Sequence, residues 1–599
     1  MLRHRLWGLV VFRVVFHVGF LVPWLVSGLV FGGFLVVTGL TGCQACGKSD
    51  AVPDAAASIE PPVPAPEGLL AEAVVIDPNA SWGKVQRGTG GALALMPMTL
   101  GGLLTSLATL DPGLGPEIDG AASAFGVLAA GPAGPEGPLS YAIAVRLLDE
   151  RRTRGTLFEG QNPRYAPRDA SGFTVLGAKA GAAAAPSMPA AVAVARGGFL
   201  VVARTEADLT RLGPYVTRTL PAKPPPTGSI AIEVPRAAFT GPFGPYLTSL
   251  WSQFRADMEQ KDARMREAHG GKAPDFGDPR AIVEMSDAFV KGKLGILGDL
   301  ERARFIVDPS EEGVRVAGTF TPASPEGPAA QTVRAMHVGD AAPLLDVPKA
   351  SAIALLLRSD AKERQEGAHD ASVAVAKALG DRIDADGREK LERALADWSK
   401  GRGDVLSVSS VGAGLLLRAP AADAESASRA VRGLVALADK PAFKGPLETF
   451  LQVKQVTTSQ IEVPGLGKVE QALLTRAEPK DPKVKTPALP KKAGVAWAVH
   501  GSAPQIDVAV AEDPVAVLRE AAESPGKAGD DPDIAGAVKR LGSEVSLALV
   551  LRRGVLDPAR AGGGLALVAG WGRAGNDARL TVEASHAFAR ELIRRSGGF

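Results

Sequence analysis

The chain contains few cysteines, few aromatic residues and almost no net charge. Its two cysteines, Cys43 and Cys46, are too few for a disulfide framework or a zinc-binding cysteine cluster. Aromatic residues make up 5% of the sequence, so we expect hydrophobic cores built mainly from Ala and Val. Basic and acidic side chains nearly balance, at a formal net charge of +2. A nucleic-acid-binding protein normally shows a clear basic excess, and we therefore expect no nucleic-acid partner.

Acidic residues are missing from the N-terminus, where no Asp or Glu precedes Asp50. Three arginines, Arg3, Arg5 and Arg13, stand before an uncharged apolar run at 18–40. A basic start followed by an apolar segment is typical of a secretory signal peptide. The run is longer than the ~7–15 apolar residues of an ordinary signal peptide. It is also long enough to span a bilayer, which takes ~20 residues.

The apolar run ends in Leu40-Thr41-Gly42-Cys43. A branched apolar residue, a small residue and then cysteine resemble the lipobox of bacterial lipoprotein precursors. The resemblance implies that signal peptidase II recognises Leu40, Thr41 and Gly42 and cuts before Cys43. It also implies that the Cys43 thiol carries diacylglycerol and that the new amino group is acylated, with palmitate or a similar chain. The expected partner of this N-terminus is the membrane.

Two alternatives to a cleaved lipoprotein stay open: a single-pass helix that is never cleaved and plain secretion. All three hypotheses place the residues from 47 onward outside the cytoplasm. In the lipoprotein hypothesis Cys46 has no thiol left to pair with, so the mature chain has no disulfide. Gln44 follows the lipidated cysteine and is not acidic, which implies sorting to the outer membrane of a Gram-negative bacterium. An uncleaved helix implies an inner-membrane protein instead.

The rest of the chain predicts the α+β class, with repeated domains of antiparallel hairpins packed against helices. Pro-rich segments separate the domains and favour extended connections. The predicted boundaries are a signal peptide at 1–42, a lipidated Pro-rich tether at 43–81, α+β domains at 82–225, 226–346 and 347–478, a basic Pro-rich linker at 479–490, and a C-terminal α+β domain at 491–599.

The repeat is predicted from three prolines, Pro226, Pro348 and Pro490, each of which precedes an apolar segment that reads as a strand. After each strand the pattern indicates helices and then a hairpin. Self-similarity of this kind is typical of repeated domains. We therefore expect the order strand, two helices, hairpin to recur along the chain.

The clearest predicted hairpin joins two short apolar runs, 191–195 and 199–203, through Arg196-Gly197-Gly198. Thr205 is placed to cap a helix at 206–212. This hairpin and helix, with Tyr215–Leu220 after them, resemble the DUF3352 group and other large envelope lipoproteins of myxobacteria-like Gram-negative bacteria. The resemblance implies an envelope location and supplies no chemistry for this chain.

Two acidic segments resemble metal-binding sequences, but neither matches a known metal site. Asp384-Ala385-Asp386-Gly387 suggests a calcium loop, but aligning it with an EF-hand puts arginines at both ends of the loop, where Asp and Glu are required. We predict instead that this segment caps the following helix. The acidic segment at 530–533 is likewise predicted to cap a helix and to interact with its dipole. We expect no metal and no cofactor.

Catalytic residues are not indicated either. The histidines after the signal segment are scattered, and no pair has helical spacing: His269, His337, His369, His500 and His586. No Gly-x-Ser-x-Gly motif occurs, although 409–412 approaches one. A catalytic triad could still form from distant residues, so a periplasmic or surface hydrolase stays an alternative. It would require His500 or His586 within reach of both a serine and an aspartate.

The basic linker at 479–490 and its flanks hold five lysines among prolines. It could contact anionic lipid or lipopolysaccharide, but a solvated connection between domains is the favoured interpretation. Together these observations favour a lipid-anchored, non-enzymatic envelope protein that acts as a binding or scaffolding body, with envelope proteins as partners. The alternatives are the hydrolase and an accessory subunit held by an uncleaved transmembrane helix.

Overall fold

A computed structural model of the chain describes most residues after the predicted signal segment. The described residues are 60–90, 96–107, 110, 112–134, 137–159, 165–177, 191–268, 279–444, 453–476, 492–524, 526–555 and 564–595. They form two compact units. One unit holds the described residues up to 249, together with 297–330 and those from 584 onward. The other holds 250–296 and 331–583.

Antiparallel strands make up the frame of the first unit. In chain order they are β1 (Leu69–Val75), β2 (Ala124–Ala129), β3 (Ser140–Arg146), β4 (Ala166–Ala170), β5 (Phe173–Gly177), β6 (Ala191–Ala195), β7 (Phe199–Ala203), β8 (Ile230–Pro235), β9 (Leu300–Pro309) and β10 (Gly313–Pro322). Their pairings give the order β4-β5-β6-β7-β3-β2-β1-β8-β9-β10, the N-terminal ladder.

The second unit is framed in the same way. Its strands are β11 (Ile353–Arg358), β12 (Val405–Val411), β13 (Gly414–Pro420), β14 (Val453–Val463), β15 (Gly467–Arg476), β16 (Lys492–His500), β17 (Gln505–Ala511), β18 (Val545–Arg552), β19 (Leu565–Ala574) and β20 (Asp577–Ser585). Their order is β14-β15-β16-β17-β13-β12-β11-β18-β19-β20, the C-terminal ladder.

The two ladders have the same topology. Every strand of the C-terminal ladder occupies the position of the strand ten places earlier in the N-terminal ladder, and the pairings within each ladder correspond one to one. In the N-terminal ladder β7 pairs with β3, although three strands lie between them in the sequence, and in the C-terminal ladder β17 pairs with β13 in the same way. Such a shared, non-sequential strand order indicates an internal duplication of a large unit.

Helices fill the connections between the strands. They are α1 (Pro78–Thr89), α2 (Leu100–Leu107), α3 (Glu150–Arg154), α4 (Glu206–Pro214), α5 (Arg236–Thr240), α6 (Phe243–Ala268), α7 (Pro279–Gly298), α8 (Pro328–Ala335), α9 (Ala361–Leu379), α10 (Ala385–Gly401), α11 (Ala424–Ala436), α12 (Pro514–Glu523), α13 (Pro532–Arg540) and α14 (His586–Arg595). The α+β class predicted from the sequence is therefore confirmed.

The cores are rich in small aliphatic residues, as the low aromatic content predicts. In the N-terminal ladder, alternate residues of β7 face opposite sides because strand side chains alternate. Val201 and Ala203 pack beneath α4 with Leu209, and the neighbouring Leu200 and Val202 belong to a second core on the other face. Both faces of this strand are thus buried, which explains its continuous apolar sequence.

Several predicted elements are confirmed. The hairpin of β6 and β7 forms as expected, and Thr205 caps α4 by accepting a hydrogen bond from the Asp208 amide. The predicted order of a strand, two helices and a hairpin occurs after Pro348, at β11, and after Pro226 the strand β8 is followed by three helices, α5, α6 and α7, before the hairpin. The predicted order is wrong for the segment after Pro490, where β16 turns directly into β17 with no helix between them.

Two further segments differ from the sequence analysis. Residues 69–81 belong to the predicted tether, yet they form β1, between β2 and β8 in the ladder, and the start of α1. The prolines before this segment led to its assignment to the tether, so the strand was not predicted. The hairpin of β14 and β15 was not predicted, because its polar sequence lacks apolar alternation. Strand pairing also joins segments from different predicted domains, such as β1 with β8 and β11 with β18.

Candidate functional site

Four polar residues meet where β13, β16 and β17 lie side by side. Arg418 on β13 is directly opposite Asp507 on β17. His500, the last residue of β16, is opposite Gln505, the first residue of β17. Because directly opposite residues of an antiparallel pair face the same side of the sheet, this register brings their side chains together.

Asp507 is the centre of this cluster. Arg418 donates from Nε to Asp507 Oδ1 at 3.0 Å and from Nη2 to Oδ2 at 2.8 Å. Gln505 Nε2 donates to Oδ1 at 2.9 Å, and His500 Nε2 lies 3.2 Å from Oδ2. A carboxylate offers about four acceptor positions. All of them are taken by protein groups, and we call these four residues the carboxylate clamp.

Electrostatics keep the carboxylate clamp charged. The Asp507 side chain is only 1% exposed, and this burial opposes ionisation. The hydrogen bonds from His500 and Arg418 outweigh the burial and lower the pKa of Asp507 to about 2. Burial also opposes the charge of Arg418, but the hydrogen bonds to Asp507 outweigh it and raise the pKa of the guanidinium. The clamp therefore ties three strands together as an ion pair rather than presenting a reactive base.

His586 is held in a different way. It is the first residue of α14 and is 3% exposed. Its Nε2 lies 2.8 Å from the main-chain carbonyl oxygen of Ser310, which can only accept a hydrogen bond. Its Nδ1 lies 3.0 Å from the Thr89 hydroxyl. A Cβ on Gly88 would lie 2.0 Å from His586 Cδ2, so the close packing of α1 against the ring requires glycine there.

The two histidines do not meet the requirement set for a hydrolase. Within the described residues, His500 bonds to an aspartate and to no serine. His586 forms hydrogen bonds to a threonine hydroxyl and a serine main-chain oxygen, and none to a carboxylate. Both rings are occupied by contacts that fix their orientation in the fold.

The acidic segments act as helix caps, as predicted. Asp384 accepts a hydrogen bond from the Gly387 amide at the start of α10. Asp531 accepts from the amides of Asp533 and Ile534 at the start of α13. In the described part of the chain, no group of three or more His, Cys, Asp or Glu is arranged to hold a metal ion.

A second charged cluster, which the sequence did not predict, lies at the start of α9 and the end of α10. Arg364 is 6% exposed at its side chain and donates to the carbonyl oxygens of Ser399 at 3.0 Å and Ser359 at 2.7 Å. It also contacts Asp404. Burial and the nearby Arg364 charge lower the pKa of Arg402 to about 10. The partners are mostly main-chain oxygens, so no residue pattern could have revealed this cluster.

A third polar group was also missed. The Tyr215 hydroxyl donates to Glu72 Oε2 at 2.8 Å, and Lys223 Nζ lies 2.5 Å from Glu72 Oε1. Burial and the bond to Glu72 raise the pKa of Tyr215, so the phenol stays protonated. These contacts fasten the turns after α4 to β1.

A pocket of about 260 Å³ beside β5 and β6 is smaller than the ~300–1,000 Å³ of usual ligand sites.

The predicted lipidation site, with Leu40, Thr41, Gly42 and Cys43, lies outside the described residues, as do Cys46, His269 and the linker at 479–490. Among the helices that are described, none has both the length and the apolar character needed to cross a membrane. No family model, curated protein or solved structure matches the chain.

Proposed function

We propose that the protein is a lipid-anchored component of the bacterial cell envelope, displayed from the outer membrane as a non-enzymatic binding or scaffolding body. The observation that carries the proposal is the Leu40-Thr41-Gly42-Cys43 sequence at the end of a long apolar run. Cys43 holds the lipid, and Leu40, Thr41 and Gly42 are read by the signal peptidase. Its partners are the membrane and other envelope proteins.

The architecture supports a body that works by presenting surface. Glu60 and Val63 already contact the fold through Arg218 and Thr219, which leaves the residues between Cys43 and Glu60 as the spacer. Two ladders of the same topology then supply two large surfaces. The polar clusters in them are tied up in internal hydrogen bonds, as the carboxylate clamp and His586 illustrate.

Intact mass spectrometry of the membrane-extracted protein tests the anchor. We expect a chain that begins at Cys43 and carries the mass of diacylglycerol and acyl chains. In Cys43→Ala we expect the full-length precursor without lipid, because the thioether cannot form. Cys46→Ala is the matched control and keeps the wild-type modification. A wild-type mass that retains residues 1–42 would refute the lipoprotein and support the accessory subunit with an uncleaved helix.

A further inference from the structure

The strand β14 is a long and exposed edge of the C-terminal ladder. It spans Val453–Val463, and the only described strand that pairs with it is β15. Its pairing is regular from Gln455 onward, with one irregularity at Lys454. Its middle residues are exposed on both faces. Every second residue of an edge strand directs its amide and carbonyl groups outward, where another strand can pair with them.

The corresponding edge in the N-terminal ladder is protected. β4 has five residues, APRDA, and pairs with β5 alone among the described strands. Pro167 removes an amide donor, and Arg168 and Asp169 place charges on this short edge. Prolines, charges and short length are the usual devices that prevent edge pairing. β14 has no proline and carries charges only near its two ends, at Lys454 and Glu462.

The sequence of β14 is complementary to itself in the antiparallel direction. Pairing two copies about Thr458 sets Thr457 opposite Ser459 and Val456 opposite Gln460. It also sets Lys454 of each copy opposite Glu462 of the other. Opposite charges and hydroxyl pairs at directly facing positions stabilise antiparallel strands. The outward-facing main-chain groups of the two copies also meet. Facing residues are an even number of positions apart in the sequence, and such residues direct their amide and carbonyl groups to the same side of the strand.

Only this register matches the charges. A slip by one pair in one direction sets Lys454 opposite Gln460 and leaves Glu462 beyond the end of the strand. A slip in the other direction sets Glu462 opposite Val456 and leaves Lys454 beyond the end. Neither Lys454 nor Glu462 forms an ion pair with any other described residue. Glu462 faces Lys468 of β15 without forming an ion pair, and Lys454 lies at the irregularity and faces no residue of β15. A symmetric pair of β14 strands therefore gives Lys454 a charged partner and Glu462 a second one.

We propose that β14 is a dimerisation edge, whose partner is β14 of a second copy of this chain, paired antiparallel about Thr458. The interface has two-fold symmetry, in which the same surface serves on both copies and closes the assembly at a dimer. The inference does not depend on the lipid anchor, since it rests on the edge strand alone.

Cysteine crosslinking tests the register. In the full-length, detergent-extracted protein with Cys46→Ser, Thr458→Cys places two thiols on directly facing positions. Facing residues have Cα atoms about 4.5–5.5 Å apart, within disulfide range. We expect mild oxidation to give a disulfide-linked dimer as the main species. Gln455→Cys is the matched control on the same strand. Its two copies would lie about 20 Å apart, so we expect no disulfide-linked dimer from this variant.

Three results would overturn the proposal. Crosslinking of Thr458→Cys and Gln455→Cys to equal extents would indicate random collision. A Thr458→Cys chain that forms no crosslink and reacts quickly with maleimide would show an open edge without a partner. A Thr458→Cys chain that forms no crosslink and whose thiol is protected from maleimide would show that something other than a second copy covers the edge. The Cys46→Ser background must itself stay free of crosslinks.

Charge reversal gives an independent test in analytical ultracentrifugation. Lys454→Glu or Glu462→Lys alone sets like charges opposite each other at both ends, and we expect dimerisation about tenfold weaker. The double variant K454E/E462K restores opposite charges, and we expect near wild-type dimerisation. Equal behaviour of the single and double variants would contradict the proposed register. Lys454→Glu is the cleaner single change, because Lys454 is exposed and faces no residue of β15, whereas Glu462 faces Lys468 within the monomer.

Discussion

The two ladders share a strand order but differ at one matching position. Counting back equally from the helix-capping residues Thr205 and Asp513 brings Phe199 and Asp507 into correspondence. Each lies opposite an arginine, Arg146 in one ladder and Arg418 in the other. In the N-terminal ladder the guanidinium lies over the Phe199 ring, 5.1 Å from its centroid. In the C-terminal ladder it forms two hydrogen bonds to a carboxylate.

The difference shows that the ladder tolerates two kinds of partner for one arginine. Arg146 is exposed and covers an aromatic side chain with its planar group, an interaction worth about 0.5–1 kcal/mol at exposed sites. Arg418 is mostly buried and faces a carboxylate that is 1% exposed. Removing one member of a buried ion pair leaves the other uncompensated. The same backbone position is therefore a minor contact in one ladder and a critical one in the other.

The largest expected effect is from Asp507→Asn. This change leaves Arg418 without a negative partner, and we expect the C-terminal ladder to lose about 3 kcal/mol of stability. Hydrogen exchange read by mass spectrometry should show faster exchange in peptides from β13, β16 and β17. Peptides from β3, β6 and β7 serve as the internal control. Equal acceleration in both sets, or in neither, would contradict the clamp.

Acidification should weaken the C-terminal ladder next. The pKa of Asp507 is lowered in the fold, so its contribution is present above the unfolded value of about 4 and is lost as the pH falls towards 2. The wild type should lose about 2 kcal/mol more than Asp507→Asn across this interval. Urea unfolding at several pH values measures the difference. A wild type and variant with parallel pH profiles would exclude an ionised Asp507 as the cause.

Arg418→Lys should have a smaller effect. Lysine keeps the positive charge but cannot form the paired bonds from Nε and Nη2. We expect a loss of about 1 kcal/mol, measured by thermal unfolding and by exchange of β13 and β17. A loss as large as that of Asp507→Asn would mean that geometry, and not charge, dominates the clamp.

The smallest expected effect is from Arg146→Ala in the N-terminal ladder. It removes only the contact with the Phe199 ring, and we expect a loss of about 0.5 kcal/mol. Exchange of β3 and β7 is the measurement, with Arg418→Ala as the counterpart in the other ladder. If Arg146→Ala proved as damaging as Arg418→Ala, the two positions would be energetically alike and the contrast between the ladders would fail.

Local features of the fold could be predicted from the sequence. The hairpin of β6 and β7 is encoded by two short apolar runs and a Gly-Gly turn, and Gly197 and Gly198 indeed adopt positive φ. The caps Thr205 and Asp384 follow from residue type just before a helix. Each of these signals lies within a few residues, so it needs no knowledge of the tertiary structure.

Long-range features could not be predicted. Arg418 and Asp507 are 89 positions apart, and only the pairing of β13 with β17 brings them together. Nothing in β14 distinguishes it from a loop, because its exposed polar residues give no alternation. β1 was assigned to the tether because prolines precede it. The duplication is recognised from the strand order that the two ladders share, and not from identical residues.

The position of β1 determines how the fold bears a mechanical load. Val63 is fastened to Thr219 by two hydrogen bonds, at 2.9 Å and 2.7 Å, and β1 follows between β2 and β8. A pull on the N-terminus acts along this strand and stretches its bonds on both sides at once. An outer strand would resist the same pull through the hydrogen bonds to one neighbour alone. A chain held by its N-terminus is thus gripped where shear resistance is high.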